Sequence, residues 1–140
     1  MRTEIIEIDA ESAPPEAIAD AAEAITAGKV VAIPTDTLYV LVADPFNLKA
    51  VSSVFQAKGR EPNRSLPILV TSLLMAEDYT TNLTARFYLL ARHFWPGPLT
   101  IIVPAASKLP LRVTGNTGRL ALRHSSAAVP NQLIEMLGMP

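Results

Sequence analysis

Hydrophobic positions along the chain fall into short runs separated by proline, glycine and small polar residues, and the spacing within each run assigns an element. Residues 3–8 alternate polar and apolar, which predicts an edge or half-buried strand. Pro14 and Pro15 open a helix that carries Ile18, Ala22 and Ile25 on one face and closes at Gly28. The run KVVAI, residues 29–33, is short, apolar and β-branched, as in a buried central strand ended by Pro34. Residues 38–43 are extended again. Asn47 caps a second helix with Leu48, Val51, Val54 and Phe55 at helical spacing, and that helix runs into Lys58-Gly59-Arg60.

The second half repeats the alternation. Residues 66–70 read as a buried strand, and residues 73–94 as one or two helices with a break near residues 80–83. Trp95-Pro96-Gly97-Pro98 stops the helix, residues 99–103 form a strand, residues 119–123 another, and residues 130–137 a last helix. Strands alternating with helices predict a mixed α/β fold with helices on a twisted sheet. One link between strands is too short for a parallel crossover, so the sheet contains an antiparallel pair. The order of the strands is not legible from the pattern.

Length and composition set the frame for chemistry. The 140 residues suit one domain spanning 1–140, and 49% hydrophobic against 18% charged residues places the chain among folding sequences. A net charge of −1 gives no global drive toward nucleic acid or anionic membrane, so any RNA contact must be local and weak. The absence of cysteine excludes disulfides, thiolate metal sites and cysteine nucleophiles. The acidic, alternating N-terminus is neither a signal peptide nor a membrane span, and the expectation is a cytoplasmic protein without membrane contact.

Four segments carry candidate chemistry. Thr35-Asp36-Thr37 sits where a buried strand ends, which suits either a self-bonded turn or a ligand position. Lys58-Gly59-Arg60, followed by Arg64, is either a helix terminus complemented by cations or a phosphate clamp without a glycine-rich cradle. Trp95-Pro96-Gly97-Pro98 is architectural. Arg123 leaves the end of an apolar strand, as a carboxylate or phosphate hook or as a solvent-facing terminus. His93 and His124 are too isolated for a metal site, and Ser125-Ser126 defaults to loop or surface, so no nucleophile, general base or metal ligand is assigned.

Taken in order, KVVAIPTDTLYVLV, AKGR, SLPILV, WPGPLTIIV and TGRLALR resemble the YrdC-like threonylcarbamoyl-AMP synthase family over residues 15–140. The resemblance implies a three-layer fold around a twisted mixed sheet with a cationic groove. It implies an ATP-dependent synthesis of threonylcarbamoyl-adenylate from L-threonine and bicarbonate, with release of pyrophosphate. The product would go to the machinery that transfers threonylcarbamoyl to tRNA. Carried over, the resemblance puts Thr37 and Arg123 at threonine, Lys58 and Arg60 at the ATP phosphates, and Arg64 and Arg119 on the nucleotide side, with Mg2+ arriving on ATP.

Three departures from the family pattern stand out. Val40 replaces a glycine, His124-Ser125 replaces an apolar residue and proline, and the chain stops at Met139-Pro140, where the family begins the strand leading to a Ser-Ala-Asn element. The expectation is therefore a domain incomplete at its C-terminus, whose activity is a separate question from its fold. Two rival readings remain, a non-catalytic RNA-binding module that keeps the groove and an interaction domain that receives a peptide there.

Overall fold

In the computed structural model, which describes residues 3–9 and 11–140, the elements follow as α1 (Pro15–Thr26), β1 (Val31–Pro34), β2 (Tyr39–Val42), α2 (Leu48–Lys58), β3 (Ile68–Leu69), α3 (Leu73–Asp78), α4 (Ala85–Phe94), β4 (Ile101–Pro104), α5 (Leu111–Thr114), β5 (Arg119–Arg123) and α6 (Ala128–Leu137). Local signals account for most of the boundaries. Asn47 accepts from the Lys49 and Ala50 amides to start α2, Ser72 from Met75 to start α3, and Thr84 from Phe87 to start α4. The expected break in residues 73–94 thus falls between two separately capped helices. α6 begins at Ala128, two residues before Pro130, because proline is tolerated in a first helical turn whose amides have no intrahelical partner.

The mixed sheet is found in two pieces. β1 and β2 form an antiparallel hairpin with Ile33 opposite Val40 and Pro34 opposite Tyr39. In the other piece β5 is central, parallel to β3 with Ile68 opposite Leu122, and antiparallel to β4 with Ile101 opposite Leu122. The run at residues 29–33 is therefore not the central strand. Only Ile33 of β1 is buried, because α1 and α6 cover a single face of the hairpin, whereas Leu120 and Leu122 of β5 are wholly enclosed.

Two apolar clusters match this division. Ile18, Ala22 and Ile25 of α1 pack with Ile33, Val129 and Leu133. Val51 and Phe55 of α2 pack with Ile68, Val70, Phe87, Val103, Leu120 and Leu122. Residues 3–8 form no strand. Ile5 and Ile6 are adjacent, so a pleated strand turns them to opposite faces; both stay exposed, and Ile8 packs against the first cluster. The short helix α5 was not anticipated in the hydrophobic pattern, since its four residues are less than one period of an amphipathic stripe.

Candidate functional site

Two strand ends meet at the best-defined polar cluster. The turn between β1 and β2 delivers Thr35, Asp36 and Thr37, and the C-terminal end of β5 delivers Arg123. Arg123 donates from Nη2 to Asp36 Oδ1 at 2.5 Å, and from Nη1 and Nη2 to Thr37 Oγ1 at 3.2 Å each. Both partners of the ion pair are largely buried. Thr35 Oγ1 donates to the Leu38 carbonyl at 2.7 Å, which commits its only hydrogen. The 3.3 Å contact between Thr35 and Thr37 then requires Thr37 to be the donor, so the hydroxyl hydrogens run in one direction, from Thr37 to Thr35 to the turn carbonyl.

Asp36 is held on its other side by the loop after β5. Ser125 Oγ donates to Asp36 Oδ1 at 2.5 Å, and Ser126 Oγ to Oδ2 at 3.3 Å. Burial pushes the Asp36 carboxyl up, but hydrogen bonds from Ser125, Arg123 and the Ser126 backbone, with the Arg123 charge, outweigh it and hold the group below its usual 3.8. A carboxylate ionised and engaged in this way is a poor general base. Ser125 lies in a loop, one of the two places the sequence allowed, but not at the surface: it is 1% exposed, and its neighbour His124 is lowered from 6.5 chiefly by burial, against contributions from Asn131, Asp36 and Glu135.

The second cationic element comes from the end of α2. Gly59 caps the helix in the left-handed conformation, φ 57°, and this turn separates Lys58 from Arg60. Arg60 donates from Nη2 to the Ser65 carbonyl at 2.7 Å, so the loop at residues 61–65 braces its guanidinium. That loop is itself held by the end of α5, where Leu66 donates to the Val113 carbonyl at 2.8 Å. The Trp95–Pro98 turn has the architectural role read from sequence: Trp95 Nε1 donates to the Leu99 carbonyl at 2.7 Å, and the Gly97 amide donates to the His124 carbonyl at 2.8 Å, fixing the chain just beyond Arg123.

A groove of about 220 Å³ opens between the two sheets, with β2 on one wall and β3 on the other. Its lining is mostly apolar and includes Val40, Val42, Val54, Leu133 and Pro140, but Lys58, Arg60 and Arg123 all reach it. The Nε atoms of Arg60 and Arg123 are buried and have no hydrogen-bond partner among the described residues. Buried donors of this kind are costly unless something accepts from them. The groove thus offers anchored positive charge against an apolar floor.

The six residues singled out from sequence are not all gathered here. Lys58, Arg60 and Arg123 line the groove, and Thr37 joins them through Arg123. Arg64 does not line it: its side chain is 69% exposed and makes a 3.8 Å ion pair with Glu61. Arg119 is exposed at the opposite end of β5 from Arg123. Val40 does border the groove, as its departure from glycine suggested. In the sequence Asp36 stands out only as part of the turn, without a partner or role, and Ser125 is passed over. Their only signal is contextual, since a turn aspartate and a loop serine are ordinary until a separation of 89 positions is folded up.

The structure is thus a mixed α/β fold in which two arginines and a lysine reach one crevice between the sheets. Residues 23–140 match the family model Sua5/YciO/YrdC, described as telomere recombination, and the chain belongs to that family. It is 36% identical over 120 residues to the threonylcarbamoyl-AMP synthase of Pyrococcus abyssi, an alignment covering 86% of this chain and 35% of that protein. It is 35% identical over 124 residues to the threonylcarbamoyl-AMP synthase of Bacillus subtilis, covering 88% and 36%. The crystal structure of P. abyssi Sua5 complexed with L-threonine matches at a TM-score of 0.89 and 35% identity, covering 93% of this chain and 38% of that one. The chain spans about a third of the length of these curated relatives. No helix among the described residues is long and apolar enough to cross a membrane.

Proposed function

We propose that the groove binds L-threonine and ATP for synthesis of threonylcarbamoyl-adenylate, with bicarbonate as the third substrate and pyrophosphate as the by-product. The observation that carries this reading is the convergence of Lys58, Arg60 and Arg123 on one groove. Two fixed guanidiniums suit two anions, a carboxylate and a polyphosphate. The solved relative carrying L-threonine supports threonine as the carboxylate-bearing ligand. Arg123 with Thr37 takes the threonine carboxylate, and Lys58 with Arg60 takes the ATP phosphates. Arg64 and Arg119, outside the groove, are left out of the contact set.

The chemistry asks little of the protein beyond alignment and charge. The threonine amine adds to bicarbonate with loss of water to give an N-carboxylate. Its oxygen forms a bond to the α-phosphorus of ATP, the bond to the bridging oxygen breaks, and pyrophosphate leaves with the electron pair. No protein nucleophile is needed, and Lys58 and Arg60 offset charge that builds on the leaving phosphates. Magnesium enters on ATP: the one carboxylate in the polar cluster, Asp36, is already occupied by Arg123 and Ser125. In this reading the product passes, in the cytoplasm, to the enzymes that modify tRNA, with only weak contact between this chain and tRNA.

The test is calorimetric titration of the chain with threonine and with ATP, followed by pyrophosphate release from ATP, threonine and bicarbonate. Binding of both ligands is expected. If neither binds at millimolar concentration, the assignment of the groove fails.

A further inference from the structure

Ser125 spends its whole hydrogen-bonding capacity on one task. Its hydroxyl donates to Asp36 Oδ1 at 2.5 Å and accepts from the Asp36 amide at 3.4 Å and the Ala127 amide at 3.2 Å. One donor and two acceptors are all that a hydroxyl has. The loop carrying it is pinned in turn by Asn131 of α6, whose Nδ2 donates to the carbonyls of Ser125 and Ala127 at 2.9 Å each. Asp36 is thus gripped from the α6 side by an enclosed residue, and it holds Arg123 on the other.

Without that grip Asp36 keeps only the longer bond from Ser126 at 3.3 Å beside its pair with Arg123, and Arg123 loses its firmest reference. With it, Nη2 of Arg123 is tied to Asp36 and the end of the fork to Thr37, which leaves Nε as the buried donor still unpaired. The direction of that remaining N–H follows from the two tethers, because the guanidinium is planar and rigid. We infer that Ser125 is a positioning residue, which fixes Asp36 and through it holds the guanidinium of Arg123 at the groove, where a ligand carboxylate would meet it. The ligand's identity rests on the threonine reading above, while the placement of Arg123 does not.

A double-mutant cycle separates the two. In 15N-labelled protein, hydrogen exchange of the Arg123 Nε–H is compared for the full chain, Ser125→Ala, Asp36→Asn and the double variant, with the signal assigned by its loss in Arg123→Lys. Ser125→Ala is expected to speed exchange about tenfold, the size of one lost hydrogen bond to a charged group. It should add almost nothing in the Asp36→Asn background, since its effect passes through Asp36. Threonine affinity should fall by a similar factor in Ser125→Ala, with ATP affinity unchanged. Ser125→Cys, nearly the same size and a weaker donor, reports the same bond if the alanine variant does not fold. An unmoved Nε–H signal in the folded variants, or equal effects of Ser125 with and without Asp36, would overturn the inference. A chain whose Arg123 signal depends on Ser125 but which binds no threonine would sustain the positioning role and sink the threonine reading.

Discussion

Gly115 presses against Ser65 so closely that a β-carbon on the glycine would lie 2.8 Å from the Ser65 amide nitrogen and 2.6 Å from the Asn63 carbonyl oxygen. Gly115 also has a φ of 60°, which side chains rarely adopt. This contact seats the loop whose Ser65 carbonyl accepts from Arg60. Gly115→Ala should therefore cost about 2–5 kcal/mol of stability, the sum of left-handed strain and overpacking against backbone. It should also weaken ATP binding by displacing Arg60. Urea unfolding and calorimetry check the two effects, and a loss under about 0.5 kcal/mol would mean that the loop yields freely.

Arg60→Ala should weaken ATP binding by about 1.5–3 kcal/mol, the scale of a charge-assisted hydrogen bond, with the fold retained. Titration at fixed magnesium measures it. Unchanged affinity would remove Arg60 from the phosphate site.

Arg64→Ala and Arg119→Ala are expected to leave ATP affinity within about 0.5 kcal/mol of the parent, since exposed cations and exposed ion pairs contribute little. A larger loss for either in the same titration would place it in the nucleotide contact set after all.

Acid should destabilise the fold through Asp36. Its carboxyl is held below 3.8, so the folded state favours the ionised form, and that stabilisation is fully present above pH 3.8. It is lost as pH falls through the depressed folded value. Asp36→Asn should lower the urea midpoint at neutral pH and flatten the decline of stability below about pH 4. Parallel pH curves for the two proteins would show that Asp36 carries no such coupling.

Val40 lines the groove, at a position where the family resemblance implies glycine. Val40→Gly should tighten threonine binding, although glycine within a strand costs roughly 0.5–1 kcal/mol of stability. Level or weaker affinity in calorimetry would mean that the valine is accommodated.

Elements announced by their own ends were legible in the sequence: Asn47 before α2, Gly59 after it, and Trp95-Pro96 after α4. The hairpin followed from a link too short for a crossover. What depended on distant partners was not legible. The run KVVAI looks central until α1 and α6 are seen to cover only one face of it, and Thr3–Ile8 looks like a strand until no neighbour offers it a ladder. The same division runs through the site. Lys58, Arg60 and Arg123 were visible as cations at element ends, whereas Asp36 and Ser125 acquire meaning only from each other. Arg119 and Arg123, four positions apart on one strand, look equivalent as charges until the strand's direction sends them to opposite ends.

The ion pair between Asp36 and Arg123 joins positions 87 residues apart. During synthesis the turn emerges long before its partner, at a stage when neither β5 nor the loop after it exists. The polar cluster therefore cannot close until β5 and the loop after it have emerged, and its closure waits on the parallel pairing of β3 with β5, itself a slow, non-local step. A ligand in the groove then has no early intermediate to template. It acts as a latch on a finished fold, slowing unfolding while leaving the folding rate unchanged.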